Sequence, residues 1–174
     1  MAYAGLIFDL DQTLVDTSIV ADLRSQRRWP AVYPRIPETI IYPGILQLLT
    51  DLKTLKVPMV IVTSSPGTYC TRVLNHHKLP IDFQICYHDT ANRKPHPEPM
   101  LKALSALKLK ASDVIAVGDD PKDVASANDA KLFNIACTWG SAEPAQMANA
   151  GANLVCATVS ELRQQLGQLL SLNL

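Results

Sequence analysis

The chain has no excess of charge of either sign: 16 Lys and Arg balance 16 Asp and Glu over 174 residues. Extended nucleic-acid binding rests on neutralising many phosphates, so it is not expected here, although a local basic patch is compatible with the balance. The sequence also lacks any C-x-x-C pair. Cys70, Cys86, Cys137 and Cys156 are scattered, which argues against a zinc site or a disulfide framework and reads as buried thiols of a cytosolic protein. No apolar run reaches the roughly 20 residues of a membrane span. The apolar N-terminal stretch is too short for a signal peptide and carries acids where its apolar region should continue. A membrane partner is therefore not expected, and a cytoplasmic location is. Internal repeats, low-complexity segments and acidic or basic tails are missing as well.

What remains is an ordinary globular composition, 48% hydrophobic, in a length that suits one domain with a real core. Apolar runs alternate with helical periodicity throughout. Strands are expected at Ala4–Leu10, Pro58–Thr63, Phe83–Tyr87, Val114–Gly118 and Phe133–Thr138, with a short sixth at Leu154–Cys156. Helices are expected from Thr13 to about Trp29, from Pro43 with Leu46, Leu49, Leu52 and Leu55 inward, and from about Pro66 to His77. Further helices are expected at Glu98–Leu107, with Met100, Leu101, Leu104 and Leu107 inward, at Lys122–Ala130, and from a Ser160 cap to about Leu170. Alternating β and α with continuous apolar strands indicates a three-layer α/β fold, a Rossmann-like parallel sheet of five to six strands covered by helices on both faces.

The chemistry gathers at strand ends. Leu6-Ile-Phe-Asp9-Leu-Asp11-Gln-Thr13 is a buried strand that stops in two carboxylates. Such charges are costly in a core unless paired or metal-bound, and open parallel sheets hold ligands just beyond their carboxyl ends. Residues two apart share a face while a strand stays extended, so Asp9 and Asp11 are expected on one side. A hard cation such as Mg²⁺, which takes oxygen ligands, is the natural partner for that pair. Val60-Ile-Val-Thr63-Ser64-Ser65 ends a second strand in hydroxyls. Lys94 stands in Arg93-Lys-Pro-His-Pro97, where two prolines stiffen the loop. Val114-Ile-Ala-Val-Gly118-Asp119-Asp120-Pro-Lys-Asp123 ends a fourth strand in acids, with Asp120 the natural helix cap. Each residue has a plainer reading, as a cap, a turn or a solvated side chain; the plainer readings fail together because four strand ends converge on acid, hydroxyl and amine.

In this order the four motifs resemble those of the haloacid dehalogenase-like hydrolases, and Thr138-Trp-Gly140 resembles their phosphoglycolate-phosphatase-like branch. The family usually has Gly where this chain has Gln12, a change that stiffens the turn and removes no chemical group. The resemblance implies Asp9 as nucleophile, Asp11 as general acid/base, Thr63 as a ligand of the transferring phosphoryl group with Ser64 beside it, and Lys94 as the compensating cation. It also implies one Mg²⁺ held by Asp9, Asp119 and Asp11, the last through its backbone carbonyl, with Asp123 in support. The expected reaction is hydrolysis of a phosphate monoester through an aspartyl-phosphate. A dehalogenase would have no use for Asp11 or Asp119, and a phosphomutase needs a cap that excludes water.

Relatives with full caps insert a helical bundle after the first strand. Here about 16–42 leaves room for one helix and a proline-rich return, a much reduced cap within a single domain spanning 1–174. An open site follows, closed by a bulky substrate or by a second subunit, so a homo-oligomer is a possible partner. Arg24 and Arg28, with Arg27, can reach a second anionic group on the substrate, or form a solvated helix face. A phosphorylated metabolite or nucleotide is the expected substrate; a macromolecular phosphate, or a phosphate-binding module of low turnover, is the alternative.

Overall fold

The computed structural model describes residues 3–142 and 144–174. Its strands are β1 (Gly5–Phe8), β2 (Val15–Asp16), β3 (Ile40–Ile41), β4 (Met59–Val62), β5 (Phe83–Ile85), β6 (Val114–Gly118), β7 (Phe133–Cys137) and β8 (Leu154–Cys156). Its α-helices are α1 (Ala21–Ser25), α2 (Trp29–Val32), α3 (Ile45–Thr54), α4 (Gly67–His77), α5 (Glu98–Leu107), α6 (Pro121–Asp129), α7 (Pro144–Asn149) and α8 (Val159–Leu170). Six strands form one sheet in the order β5-β4-β1-β6-β7-β8, and every pairing in it is parallel. The central strands β1, β4 and β6 are buried along their whole length, as a sheet covered on both faces requires. Leu6 and Phe8 pack into one cluster with α3, α4 and α8, while Ile7 packs into another with α5. The period-two alternation of a strand thus feeds both layers. All four cysteines are buried free thiols.

The strand order sets the site. The chain builds outward from β1 through β4 to β5, then returns to the other side of β1 with β6 and continues outward. Such a reversal opens a crevice at the carboxyl ends of the strands that flank it. Asp9, Thr63 and Asp119 each follow directly on one of three neighbouring strands, β1, β4 and β6.

The first expected helix is not continuous. After Gln12, which takes a left-handed φ of 67°, the chain doubles back, and Val15–Asp16 pairs antiparallel with Ile40–Ile41. Short helical turns fill the space between these strands. The reason is polar: Thr13 and Thr17 are fully buried and must hydrogen-bond, and both reach aspartates of the strand ends, which a regular helix would not allow. Other corrections are shifts of phase. In α3 the buried stripe is Ile45, Leu48, Leu49 and Leu52, while Leu46 and Leu55 are exposed, and Pro43 precedes a Gly44 cap. In α5, Ala103 replaces Leu101 on the inner face. β5 stops at Ile85, two residues before the expected end. Thr158 caps α8, accepting from the Glu161 amide at 3.1 Å, in place of Ser160.

Gly140, in the loop after β7, locks onto the Gln12 turn. A Cβ there would lie 1.9 Å from the Gln12 carbonyl oxygen and 2.6 Å from the Tyr42 hydroxyl. Next to it the Trp139 indole donates to the Thr13 carbonyl at 3.1 Å. Gly140→Ala is expected to destabilise the fold by roughly 2–4 kcal/mol, because backbone rather than a flexible side chain must yield. Urea unfolding checks this; an unchanged midpoint would show that the loop is not docked on the turn.

Candidate active site

At the carboxyl ends of β1 and β6, Asp9, Asp119 and Asp123 each offer one carboxylate oxygen, and these oxygens lie within 4.8 Å of one another. Lys94 enters from the loop before α5 and is the cation among them. Its ammonium donates to Asp9 Oδ1 at 2.6 Å and to the Val62 carbonyl at 3.0 Å, and lies 2.5 Å from Asp123 Oδ1. Burial alone would push the Lys94 ammonium down. Asp123 and Asp9 outweigh it and hold the lysine well above its ordinary range. Asp9 is raised well above the carboxylate range by burial, against the pull of Lys94, with Asp123, Asp119 and Asp11 adding repulsion. Asp119 is pushed up to about 7 by burial and by Asp123, although it accepts the Thr13 hydroxyl at 2.7 Å.

Local structure explains how these groups are held. Asp120 caps α6 by accepting from the Lys122 amide at 2.8 Å, as its sequence position suggested. Asp123 closes the box by accepting from the Asp120 amide at 3.1 Å, so a single turn of helix fixes the acid that faces Lys94. Gly118 has no room for a side chain, because a Cβ would sit 2.5 Å from the Asp123 side chain.

Asp11 belongs to a second set. Its carboxylate is not among the three clustered acids. It accepts from the hydroxyls of Thr17, Ser65 and Tyr69 at 2.9, 3.0 and 2.6 Å, and Arg24 lies 2.6 Å from it. Asp9 and Asp11 line the same cleft, but each aspartate has its own cation. Thr63, buried, accepts from the Ser65 amide at 3.1 Å, and Ser64 is exposed at the cleft wall.

Above these groups opens a cleft of about 1140 Å³, walled on one side by Ala21, Arg24, Ser25, Arg27 and Trp29 from between β2 and β3. Arg28 is exposed and does not line it; Arg27 takes that place, its guanidinium set 5.6 Å from the Tyr87 ring. The segment between β2 and β3 packs down on α4, through Trp29 on Tyr69 at 5.6 Å, Arg72 on Tyr33 at 4.8 Å and the Thr39–His77 hydrogen bond at 2.8 Å. Sequence reasoning passed over Tyr69, Thr17 and Ser65 as partners of Asp11. Their only signal is position, a hydroxyl brought close by the return of the chain, which no local pattern announces. Gln12 was legible as a stiff turn, but not that its side chain accepts from the Thr17 amide and the Tyr42 hydroxyl at 3.2 and 3.1 Å.

The model for the haloacid dehalogenase-like hydrolase family matches residues 24–137. The chain belongs to that family. Among its curated relatives, an N-acetylmuramic acid 6-phosphate phosphatase from Pseudomonas putida is 30% identical over 127 residues, covering 71% of this chain and 57% of that protein. A validoxylamine A 7'-phosphate phosphatase from Streptomyces hygroscopicus is 31% identical over 110 residues, covering 62% and 52%. The chain spans about half the length of the first curated relatives it matches. The crystal structure of a predicted phosphatase from Clostridium acetobutylicum superposes with a TM-score of 0.80 and 26% identity over 97% of this chain and all of that one. No helix among the described residues is long and apolar enough to cross a membrane.

Three buried acids against one lysine should cost the fold stability. Asp119 carries a folded pKa of about 7 against an ordinary value near 4, so the folded chain holds an unwelcome charge above pH 7 and takes up a proton below it. In metal-free buffer Asp119→Asn is therefore expected to be the more stable form by a few kcal/mol above pH 7. The advantage should shrink as pH falls towards 4. Thermal unfolding of both proteins across that range checks the sign; an Asn variant less stable at pH 8 would contradict it.

Proposed function

We propose that the chain is a Mg²⁺-dependent phosphomonoester hydrolase, with Asp9 as nucleophile, acting on a small phosphorylated metabolite or nucleotide. The observation that carries this reading is the Asp9–Lys94–Asp123–Asp119 cluster at the switch of a parallel sheet. Two curated relatives bear the names of phosphatases of small-molecule phosphate esters, which supports the substrate class.

The residues suit a hard divalent cation. All three donors are carboxylate oxygens within 4.8 Å of one another, and burial leaves two of them short of compensating charge. Asp9, Asp119 and Asp123 would hold Mg²⁺ here, with the Asp11 carbonyl a further oxygen donor in the family pattern. When bound, the ion supplies positive charge against the phosphoryl oxygens.

The rest is the work of the chain. Asp9 attacks phosphorus and the P–O bond to the alcohol breaks, leaving an acyl phosphate on Asp9. Lys94, fixed by Asp9 and Asp123, stabilises negative charge on the equatorial oxygens. Thr63, and Ser64 beside it, donate to the same oxygens. Asp11 protonates the departing alkoxide and then takes a proton from the water that hydrolyses the acyl phosphate. The insertion at about 16–42, anchored by the β2–β3 ribbon and packed on α4, serves as a reduced cap that walls one side of the cleft. Arg24 and Arg27 supply positive charge from it, and Arg28 lies outside the cleft.

Release of inorganic phosphate from a panel of metabolite and nucleotide esters tests this reading. Activity is expected with Mg²⁺, lost with EDTA, and reduced by roughly three orders of magnitude or more in Asp9→Asn. No release from any ester by the unaltered chain with Mg²⁺ would sink it.

A further inference from the structure

Asp11 is saturated. Its Oδ1 accepts from the Thr17 and Tyr69 hydroxyls, and its Oδ2 accepts from Ser65 and faces Arg24 at 2.6 Å. An ionised carboxylate has about four lone-pair sites, and the protein fills them all. A group that passes a proton to a leaving oxygen must bring one of its own oxygens within hydrogen-bond reach of it. One of the four partners therefore has to leave before Asp11 can act.

Three of them are fixed in the fold: Thr17 and Tyr69 are fully buried and Ser65 is 3% exposed. Arg24 differs. Its side chain is 21% exposed, stands on the five-residue α1 and lines the cleft. Its seat is also incomplete, because its Nε is buried without an acceptor and its approach to Ser65 Oγ is a long 3.4 Å. Arg24 further donates at 2.7 Å to the Thr17 hydroxyl, the same group that donates to Asp11, so its departure loosens two contacts together.

We propose that Arg24 is a latch on Asp11, released by a second anionic group on the substrate. This deepens the phosphatase reading above and rests on it. A part-buried guanidinium gives up one carboxylate readily only for another anionic oxygen. Lys94 stands on the nucleophile and serves the phosphoryl group; Arg24 stands on the group that serves the leaving oxygen, so what it meets is the part of the ester beyond that oxygen. A carboxylate or second phosphate there exchanges for Asp11 and leaves Arg24 paired; the freed Asp11 oxygen takes a proton from solvent in the cleft and passes it to the leaving alkoxide. A neutral ester binds but meets Asp11 still latched. Arg24 is thus a positioning residue that couples substrate choice to turnover.

The phosphate esters of lactate and of isopropanol, which differ by a carboxylate in place of a methyl, isolate the effect. With Mg²⁺ the unaltered chain is expected to turn over the lactate ester at least about tenfold faster in kcat. Arg24→Met should lose that preference by slowing the lactate ester and speeding the isopropyl ester, because the latch is gone. Arg24→Lys should restore part of the preference. Equal losses on both esters in both variants, with the fold intact by circular dichroism, would reduce Arg24 to a brace for Asp11 and overturn the latch. A loss confined to the lactate ester would make Arg24 a simple binding residue and overturn it too. If neither ester is hydrolysed, the ester panel decides the phosphatase reading separately, and calorimetry on Asp9→Asn decides the latch. There Asp11→Asn, which removes the charge that competes for Arg24, should tighten binding of the lactate ester more than that of the isopropyl ester, and no such gain would overturn the proposal.

Discussion

The structure turns on one buried ammonium. Lys94 sits between Asp9 at the end of β1 and Asp123 in the first turn of α6, and it also donates to the last carbonyl of β4. Three elements that meet at the switch of the sheet are tied by a single side chain. Removing one partner of such a buried pair leaves an uncompensated charge and typically costs about 3–5 kcal/mol. The arrangement is nevertheless not a stability device. Three acids share one lysine, and Asp119 is left to burial and a threonine hydroxyl. A fold accepts such an imbalance where a ligand is to complete it.

The same economy governs the turn beyond β1. Gln12 adopts a left-handed backbone that costs a non-glycine residue about 1 kcal/mol or more. In return its amide oxygen accepts from the Thr17 amide and the Tyr42 hydroxyl, joining the turn to the segment between β2 and β3. Gly140 closes over the turn from the other side. The segment between β2 and β3 is therefore seated on the core by hydrogen bonds, ring contacts and the Arg24–Asp11 pair, and its arginine reaches the candidate proton-transfer group instead of open solvent.

Most of the sheet was legible because the strands are continuous apolar runs that end in polar groups, a pattern buried parallel strands impose and few other elements imitate. The meeting of Asp9 and Asp119 was legible for the same reason, since strand ends in such a sheet converge, whereas Lys94, well past β5, was legible only through the resemblance of its Lys-Pro-x-Pro motif. The region from Thr13 to Trp29 was not. Leu14, Ile19, Val20 and Leu23 read as one apolar helix face, but Ile19 is exposed, and the buried hydroxyls of Thr13 and Thr17 found partners on Asp119 and Asp11 along a bent chain. Tertiary contacts also decided which leucines of α3 faced inward, a choice of phase that several nearby leucines leave open. The pairing of Arg24 with Asp11 spans 13 positions and depends on how the segment after β2 folds, so no motif encodes it.

The most direct test of the account is to catch the bond it places on Asp9. The chain would be mixed with a turned-over ester and Mg²⁺, quenched in acid within one turnover, reduced with borohydride and digested for peptide mass spectrometry. An acyl phosphate on Asp9 is reduced to homoserine, so the account predicts homoserine at that position alone and only when ester and Mg²⁺ are both present. Phosphate release without homoserine at that position, or with the modification on another acid, would contradict it.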